Sequence, residues 1–458
     1  MKKAIRIHFI GIGGIGVSAL ARYFLSEGHK ISGSDASRSE ITDELKKEGI
    51  KILIGHKAAN IFKSIDLIIH SAAVNKNNPE IGGAEKLGIP LQSYSQALGE
   101  LTKQHKTIAV AGTCGKSTTT AMLSLVFAKA GLDPTVIIGT KLKEFGEKNF
   151  RKGKSDYLII EADEHFKSFL DYSPFAAIIT NIDRDHLDFY KNLNNLKKSF
   201  LDFIGNICSG GVLVVNKDDK NLFGLKNKIQ KIAKKNKLKI IWYGKEEKLK
   251  NILKIPGKHN VSNATAVLEM AKAVGVKEKV ILRALSEYRG AWRRMEYRGN
   301  LKSQISNLKI SVYDDYAHHP SKIKAALAGF REKYPKSRII CVFQPHQLQR
   351  LKYLFKEFSE SFNDADDLIL LDVYKVKGRD ESPSKINSQK LAEAIKRKKN
   401  SSEVLYLKSA GWRENNLKKE IENIIRNSRH SHTFADSYHV IVMMGAGDIY
   451  KLTDKLIK

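Results

Sequence analysis

The chain has 458 residues, 42% of them hydrophobic, and its 79 basic against 49 acidic residues give a formal net charge of +30 at pH 7. This length exceeds one ordinary hydrophobic core, so we expect two to four domains. No apolar run approaches the ~18 residues of a membrane span, so we expect no membrane insertion. The N-terminal lysines precede a glycine-rich motif, which argues against a signal peptide. Three widely separated cysteines indicate a reduced compartment.

The basic charge is compatible with nucleic acid, anionic membranes or anionic substrates as partners. The lysines are spread along the chain, with a local excess between Lys226 and Lys254. No aromatic-interleaved basic stripe, zinc-ligand spacing or nucleic-acid-binding motif accompanies them. We therefore interpret the lysines as a solvated surface and expect no nucleic-acid partner. A non-catalytic nucleic-acid-binding protein stays open as an alternative on charge alone.

The first hundred or so residues alternate strand and helix patterns. The predicted strands are Ile5–Ile10, His29–Ser32 and Asp66–His70. A G-x-G-x-x-G pattern at residues 11–16 follows the first strand and opens a helix that runs through Leu25, and Asp35 lies about 20 residues further on. The glycines allow a tight turn and the close approach of a diphosphate, and Asp35 could accept a ribose hydroxyl. This pattern leaves an NAD-dependent oxidoreductase open.

A second glycine pattern, Gly112-Thr113-Cys114-Gly115-Lys116-Ser117-Thr118, follows the β-rich run Thr107–Val110 and precedes a helical segment, Ala121–Ala130. A strand, a glycine turn and a helix N-terminus together present backbone N–H groups and a positive dipole end to a phosphate. Lys116 adds a charge for the β- and γ-phosphates, and Ser117 places a hydroxyl where Mg²⁺ would sit. The sequence therefore predicts a nucleoside triphosphate site, although Val110 replaces the first glycine of the strict pattern.

Acidic and imidazole side chains follow the next two predicted strands. Tyr157–Ile160 leads to Glu161, and Ala176–Thr180 leads to a segment containing His186. We expect these strands to be adjacent, so that Glu161 and His186 meet at the carboxyl edge of a parallel sheet and bind a cation.

Strands and helices alternate again in the last third of the chain. The predicted strands are Ile310–Tyr313, Arg338–Phe343, Asp367–Leu371 and His439–Met444. This alternation predicts another doubly wound α/β domain.

These motifs, in this order and over nearly the whole chain, resemble those of the Mur ligases of peptidoglycan synthesis. The resemblance rests on residues 8–16, 112–119, 161–164, 181–186, 257–260, 293–296, 314–320, 343–346 and 445–447. It implies three α/β domains. These are a Rossmann-like UDP-sugar-binding domain at 1–104, a central P-loop ATP-binding domain with a mainly parallel sheet at 105–297, and a Rossmann-like amino-acid-binding domain at 298–458.

The resemblance implies a cytoplasmic ligase, monomeric or homodimeric, that uses ATP and Mg²⁺. It would join L-alanine to the lactyl carboxylate of UDP-N-acetylmuramate through an acyl phosphate, releasing ADP and phosphate. The alternative within the family is a recycling ligase that joins a murein peptide to the same UDP-sugar. The segment Phe343-Gln344-Pro345-His346 favours the enzyme that adds a single amino acid.

The resemblance also implies a role for each candidate site residue. The UDP-sugar would contact Gly11, Gly13, Gly14, Gly16, Asp35 and Ser71. ATP would contact Gly112, Thr113, Gly115, Lys116, Ser117, Thr118, Asn260, Arg294 and Asp315. Mg²⁺ would be held by Ser117, Glu161 and His186, directly or through water. The amino-acid end would be formed by His318, His346 and Arg350, and the expected catalytic residues are Lys116, Glu161, His186, His318 and Arg350. His318 is also open to interpretation as the neighbour of a helix cap.

Four features depart from the family pattern. Cys114 stands where the family usually has histidine, and Ser117 where threonine is common. Gln347 occupies a position at which many relatives carry arginine, which leaves Arg350 as the main guanidinium there. The segment from Asn216 to Gly257 is shorter than the corresponding part of the central domain usually is in the family.

Overall fold

A computed structural model describes residues 3–301, 310–375, 385–398, 403–408, 414–428 and 438–457. Within these residues the strands form three sheets. The chain divides into two compact units, which are Met1–Arg184 with Asn192–Ile252 and Ser262–Tyr288, and Asp185–Lys191 with Leu253–Val261 and Arg289–Lys458. The first unit contains two of the sheets and the second unit the third. Across the described part of the chain, every helix is too short or too polar to cross a bilayer.

The first sheet is wholly parallel, and its central strand leads into the first glycine loop. Its elements are β1 (Arg6–Ile10), α1 (Ile15–Ser26), β2 (Lys30–Asp35), α2 (Glu40–Lys47), β3 (Lys51–Ile54), β4 (Leu67–His70), α3 (Pro79–Leu87), β5 (Leu91–Ser93) and α4 (Tyr94–Gln104). The strand order is β3-β2-β1-β4-β5. Because the chain crosses from one side of β1 to the other between β3 and β4, the loop after β1 lies at a switch in strand order, where α/β sheets bind ligands.

The second sheet has β6 near its middle, and β6 leads into the second glycine loop. The elements from residue 106 to residue 287 are β6 (Lys106–Ala111), α5 (Lys116–Lys129), β7 (Thr135–Leu142), β8 (Lys148–Arg151), β9 (Tyr157–Ala162), β10 (Ala176–Ile179), α6 (Leu187–Tyr190), α7 (Leu193–Gly205), β11 (Val212–Asn216), α8 (Lys220–Phe223), α9 (Lys226–Lys235), β12 (Lys239–Tyr243), α10 (Lys258–Ala273) and α11 (Glu278–Glu287). The strand order is β12-β11-β10-β6-β9-β7-β8, and only β8 pairs in the antiparallel sense.

Two sequence-based expectations about this sheet are wrong. The strands β9 and β10 are not adjacent, because β6 lies between them and pairs with both. Glu161 lies within β9 rather than beyond it, because the pairing with β6 continues to Ala162. The result is a phosphate loop flanked on each side by a strand, with one flanking strand carrying Glu161.

The third sheet is parallel apart from one edge strand. Its elements are β13 (Glu296–Asn300), β14 (Ile310–Asp315), α12 (Pro320–Lys333), β15 (Arg338–Phe343), α13 (Leu348–Tyr353), α14 (Phe355–Ser359), β16 (Asp367–Leu371), α15 (Ser388–Lys396), β17 (Val404–Leu407), α16 (Glu414–Ser428), β18 (His439–Met444) and α17 (Tyr450–Ile457). The order is β13-β14-β18-β15-β16-β17, with β13 antiparallel to β14.

Apolar cores cover both faces of the third sheet. On one face Phe343 packs in a cluster with Phe330 and Phe358, and on the other Val342 packs in a cluster with Ile421. Neighbouring strand residues thus point into opposite helix layers, which is why the strands are apolar throughout. The predicted fold class, three α/β domains with mainly parallel sheets, is confirmed. The domain boundaries at 104/105 and 297/298 stay predictions.

A buried polar network joins the first and second sheets within the first unit. Arg22 of α1 is 4% exposed, and its guanidinium donates to Glu48 at 2.8 Å and to the side-chain oxygen of Asn149 in β8. The Asn149 amide in turn donates to Ser18 Oγ at 2.9 Å and to the carbonyl of Ile15. The first turn of α1, directly after the glycine loop, is therefore held against the second sheet.

Candidate functional site

The first glycine loop is held closed by its own neighbours. Gly11 has φ +80°, and a Cβ atom there would lie 3.0 Å from Cβ of Ser71, so Ser71 contacts the loop as closely as glycine allows. The backbone N–H of Gly13 donates to Asp35 Oδ2 at 2.9 Å. Asp35 therefore shapes the loop by occupying one of its backbone donors, and its contact with a ligand stays a prediction.

The start of α1 shows why the last glycine of the pattern is needed. Gly14 is the N-cap residue, and no side chain caps the helix. A Cβ atom on Gly16 would lie 3.0 Å from the hydroxyl oxygen of Tyr94. Burial, together with the negative charges of Glu161 and Asp163, raises the pKa of the Tyr94 hydroxyl. The N-terminus of α1 thus combines an uncapped helix dipole with a protonated phenol.

Side chains that follow β10 hold the second glycine loop. The Asn181 side chain accepts from Cys114 N at 2.8 Å and donates to Cys114 O at 2.8 Å, while Thr180 Oγ1 donates to the same carbonyl at 2.6 Å. A Cβ atom on Gly112, which has φ +140°, would collide with Thr180 Oγ1. Gly115, with φ +85°, would collide with Asn263 in the same way. Both glycines are therefore required by close packing as well as by backbone conformation.

The departure at Val110 from the strict P-loop pattern has a structural explanation. Val110 is a fully buried residue of β6, paired on both sides with neighbouring strands. A β-branched residue suits a buried strand, and the turn begins only at Gly112. The loop therefore keeps its shape without a glycine at that position.

Lys116 begins helix α5 among acidic groups. Its ammonium lies 2.7 Å from a carboxylate oxygen of Glu164, 3.4 Å from one of Asp163 and 2.8 Å from the carbonyl oxygen of Gly112. Burial alone would lower the pKa of Lys116, but the carboxylates of Glu164 and Asp163 outweigh it and raise this pKa. Lys116 is therefore a fixed cation at the helix N-terminus, where no side chain caps α5.

Two of the three predicted metal ligands lie together. Ser117 Oγ donates to Glu161 Oε2 at 3.1 Å, and the other oxygen of Glu161 accepts from Gly139 N at 2.7 Å. A hydroxyl and a carboxylate are hard oxygen donors, the type that Mg²⁺ prefers, so this pair fits the ion that the family implies. Thr113 and Thr118 are buried beside them, and the Thr113 hydroxyl accepts from the backbone N–H of Asp183 at 3.0 Å.

His186, the third predicted ligand, belongs to the second unit. It is the N-cap residue of α6 and adopts φ +53°, and its backbone N–H donates to Asp185 Oδ1 at 2.9 Å. Its place in a metal site with Ser117 and Glu161 stays a prediction.

The second unit has its own charged cluster around a buried carboxylate. Asp185 is 3% exposed and lies 3.4 Å from the Arg350 guanidinium and 3.4 Å from the Lys322 ammonium. Burial alone would raise the pKa of Asp185, but the neighbouring His186, the Arg350 guanidinium and the Lys322 ammonium hold it well below its usual range. Arg350 also donates to the carbonyl of His346 at 3.2 Å, so the guanidinium predicted for the amino acid is already oriented by the chain.

The two histidines predicted for the amino-acid end lie together. The ring centroids of His318 and His346 are 6.0 Å apart, and His346 stacks on Tyr374 at 5.4 Å. Nδ1 of His318 lies 2.8 Å from the carbonyl oxygen of Tyr316, so this nitrogen carries the proton and Nε2 is the acceptor. Burial, Lys322 and Arg350 lower the pKa of His318 well below its usual range. The cap of α12 is His319, so His318 is indeed the neighbour of a helix cap.

The remaining candidates are tied into backbone contacts. The Asp315 carboxylate accepts from Met295 N at 2.9 Å and Ala317 N at 2.8 Å, and burial raises its pKa. The Asn260 amide donates to the carbonyl of Pro256 at 2.6 Å. Arg294 is half-buried, with its guanidinium 4.9 Å from the centre of the Tyr316 ring. Whether these three contact a nucleotide stays a prediction.

Several contacting residues escaped sequence reasoning. Asn263, Tyr94, Lys322 and Tyr374 lie far along the chain from the motifs they touch. The available signals were that Asn263 and Lys322 follow other motifs by two or three residues and that Tyr374 follows the predicted strand Asp367–Leu371. Asp185 lies within the motif at residues 181–186, where its position directly before His186 was the available signal.

Family models match three successive parts of the chain. They describe the Mur ligase family catalytic domain at residues 6–106, the Mur ligase middle domain at 110–271 and the Mur ligase glutamate ligase domain at 293–447. The chain belongs to the Mur ligase family. The resemblance inferred from the motifs is therefore confirmed.

Individual Mur ligases are similar over nearly the full length. The UDP-N-acetylmuramate–L-alanine ligase of Acetivibrio thermocellus is 40% identical over 475 residues, covering 99% of this chain and 95% of that protein. The enzyme of the same name from Clostridium perfringens is 40% identical over 418 residues, covering 85% and 88%.

Solved structures of Mur ligases share the fold. The UDP-N-acetylmuramate–alanine ligase of Thermotoga maritima superposes with a TM-score of 0.76 at 28% identity, covering 99% of this chain and 98% of that one. A murein peptide ligase from Psychrobacter arcticus superposes at 0.67 with 23% identity, covering 99% and 98%, and shows the fold alone.

The hold of Asn181 on the phosphate loop can be tested. The change Asn181→Ala removes both side-chain contacts to Cys114, and we expect it to weaken binding of a non-hydrolysable ATP analogue about 10- to 100-fold, because a loosened loop must be ordered again on binding. Calorimetry measures the affinity. Asn206→Ala, which removes a 2.8 Å contact to the carbonyl of Leu170 in the same unit, is the matched control. Equal affinity in both variants would contradict the prediction.

Proposed function

We propose that this Mur ligase joins L-alanine to the lactyl carboxylate of UDP-N-acetylmuramate at the expense of ATP, as a step in the synthesis of peptidoglycan precursors. The observation that carries the proposal is the phosphate loop with Lys116 and the Ser117–Glu161 pair, in a chain that is 40% identical to enzymes named for this reaction. A cytoplasmic location and a monomeric or homodimeric state remain part of the proposal.

The first step is phosphoryl transfer from ATP to the lactyl carboxylate, which gives an acyl phosphate and ADP. Such transfer depends on positioning and on neutralising charge rather than on covalent help from the protein. The backbone N–H groups at the start of α5 would hold the phosphates, and Lys116 would neutralise charge on the transferring group. Since Glu164 already pairs with Lys116, the incoming phosphate would share or replace that carboxylate.

We propose that Ser117 and Glu161 hold Mg²⁺, with His186 as a further ligand. The ion would neutralise phosphate charge when bound. The role of the chain is to place a hydroxyl and a carboxylate together, with Glu161 fixed in turn by Gly139 N at 2.7 Å. The contact with Gly139 keeps Glu161 oriented, since a ligand whose partner is fixed loses less freedom on binding a metal.

The second step is attack of the alanine amine on the acyl phosphate carbonyl, with loss of phosphate to form the amide. The amine must be unprotonated to attack. His318 has Nε2 as its acceptor, so it would accept a hydrogen bond from the attacking amine. Arg350 would pair with the alanine carboxylate in a charge-assisted contact.

Two alternatives make different demands. A recycling ligase would add a whole peptide, whereas the relatives that are 40% identical to this chain are named for alanine addition. An NAD-dependent oxidoreductase would leave the phosphate loop, the Lys116 cluster and the Ser117–Glu161 pair without a function.

A panel of acceptors tests the proposal. Purified protein with ATP, Mg²⁺ and UDP-N-acetylmuramate should release phosphate when L-alanine is added, and a mass spectrum should show the alanyl product. Glycine, L-serine and a murein tripeptide are assayed beside it. Phosphate release with the tripeptide alone would identify the recycling ligase, and a change in NADH absorbance without phosphate release would overturn the ligase assignment.

Lys116→Ala should lower turnover about 100- to 1000-fold and leave UDP-sugar binding intact. The reason is that Lys116 begins α5, which follows β6 of the second sheet. The glycine loop at residues 11–16 follows β1 of the first sheet instead. Steady-state kinetics and UDP-sugar calorimetry measure the two effects, and the calorimetry also shows that the variant folds. Lys129→Ala, at the other end of α5, is the control. Turnover of Lys116→Ala near that of the control would exclude this role.

Arg350→Ala should raise the KM for L-alanine about 5- to 150-fold, because the carboxylate of the bound alanine would lose its partner. The KM values for ATP and the UDP-sugar should rise much less. Lys352→Ala removes a nearby exposed charge on α13 and is the control.

Asp185→Asn separates two roles of Arg350. If Arg350 serves only to pair with Asp185, both variants will show the same change in KM. If Arg350 binds alanine, Asp185→Asn will leave the KM for alanine unchanged or lower it.

A further inference from the structure

One surface of the first unit is strongly basic and plays no part in the proposed reaction. Between Lys220 and Lys245 the chain has nine lysines and no aspartate, glutamate or arginine. All nine lysines are exposed, and among the described residues none lies within ion-pair distance of a carboxylate. They belong to α8, α9, β12, the segments that join them and the residues directly after β12, and we call this the lysine face.

Helix α9 gives the lysine face its direction. At about 100° per residue, the five lysines of α9 fall within an arc of about 200°, and the buried Ile229 and Ala233 lie outside this arc. Their charges therefore point away from the sheet together. The simplest alternative is that lysines protect an edge strand from pairing with other chains. That accounts for Lys239 on the edge strand β12 but not for the lysines of the helix.

An aromatic pair borders the lysine face. Phe223 is 51% exposed at the end of α8, and its ring lies 6.5 Å from the partly exposed ring of Trp242 in an edge-to-face arrangement. The Lys226 ammonium lies 5.5 Å from the centre of the Phe223 ring. About half of the Phe223 side chain stays exposed despite these contacts, and an exposed aromatic ring among lysines fits a boundary between water and hydrocarbon.

We propose that the lysine face docks reversibly on an anionic lipid surface. Lysines near such a surface each contribute about 1 kcal/mol of attraction, and an aromatic side chain can enter the interface beside them. Nucleic acid is the less favoured partner. Phosphate and base recognition rely heavily on arginine, whose planar fork bonds phosphate with two donors, and the lysine face contains none. A convex helix also offers no groove for a strand.

Vesicle sedimentation tests the proposal on the full chain. At ~0.1 M salt the protein should bind vesicles containing about 30% phosphatidylglycerol and should not bind vesicles of phosphatidylcholine alone. At ~1 M salt, where the screening length falls to about 3 Å, it should be released. No binding to the anionic vesicles would overturn the proposal.

Two five-lysine variants of equal charge separate the lysine face from overall charge. The test variant combines Lys226→Gln, Lys228→Gln, Lys231→Gln, Lys234→Gln and Lys235→Gln. The control combines Lys46→Gln, Lys47→Gln, Lys51→Gln, Lys63→Gln and Lys86→Gln, all exposed in the first sheet's domain. The vesicle partition coefficient of the test variant should fall about 100-fold or more, and that of the control should fall less than about 10-fold. Equal losses would overturn the proposal, and thermal unfolding verifies that both variants fold.

Two further measurements test the role of Phe223 and the nucleic-acid alternative. Phe223→Ser should weaken vesicle binding about 10-fold without changing its salt dependence, because it removes apolar contact and no charge.

Fluorescence anisotropy with duplex DNA and single-stranded RNA is measured at the same salt. Tighter binding to either nucleic acid, lost in the α9 variant and kept in the control, would assign the lysine face to nucleic acid and overturn the lipid proposal.

Discussion

The candidate nucleotide site depends on a glycine loop whose backbone is held by side chains that directly follow the neighbouring strand β10. The two glycines of this loop, Gly112 and Gly115, cannot anchor it, so Thr180 and Asn181 bind the N–H and carbonyl of Cys114 from the end of β10. This is possible only because β6 lies directly beside β10 in the sheet. The strand order thus determines which side chains can fix the loop and which backbone donors stay directed at a phosphate.

Individual strands of this fold could be predicted from the sequence better than the order of the strands in each sheet. The strands Arg338–Phe343, Asp367–Leu371 and His439–Met444 were predicted to the residue, because each is a short apolar run buried on both faces. Edge strands such as β8 and β13 were not predicted, since they are short and half-exposed and their polar residues hide any pattern. Strand order was the larger failure. No local pattern indicates that β6 separates β9 from β10, since that order follows from packing over the whole sheet.

The candidate site shows a similar division. Residues within a motif, such as Ser117 and Lys116, lie where their spacing predicts, because a helix N-terminus places them. Their partners come from distant segments. Glu161 reaches Ser117 from the strand beside β6, and Tyr94 meets the first glycine loop from the start of α4. Such contacts depend on tertiary packing, so a single sequence identifies the groups that carry the chemistry better than the groups that position them.

Both units place a cation beside a buried carboxylate. Lys116 pairs with Glu164, which is fully buried, and Arg350 lies 3.4 Å from Asp185, which is nearly so. A buried charge without a partner is costly, so each carboxylate stabilises its cation in the folded chain. An anionic substrate that arrives at either cation must compete with a group already in place. If these cations bind substrate as proposed, this competition would lower substrate affinity and keep the cation in a defined position, which would favour a precisely oriented reaction over tight binding of the ground state.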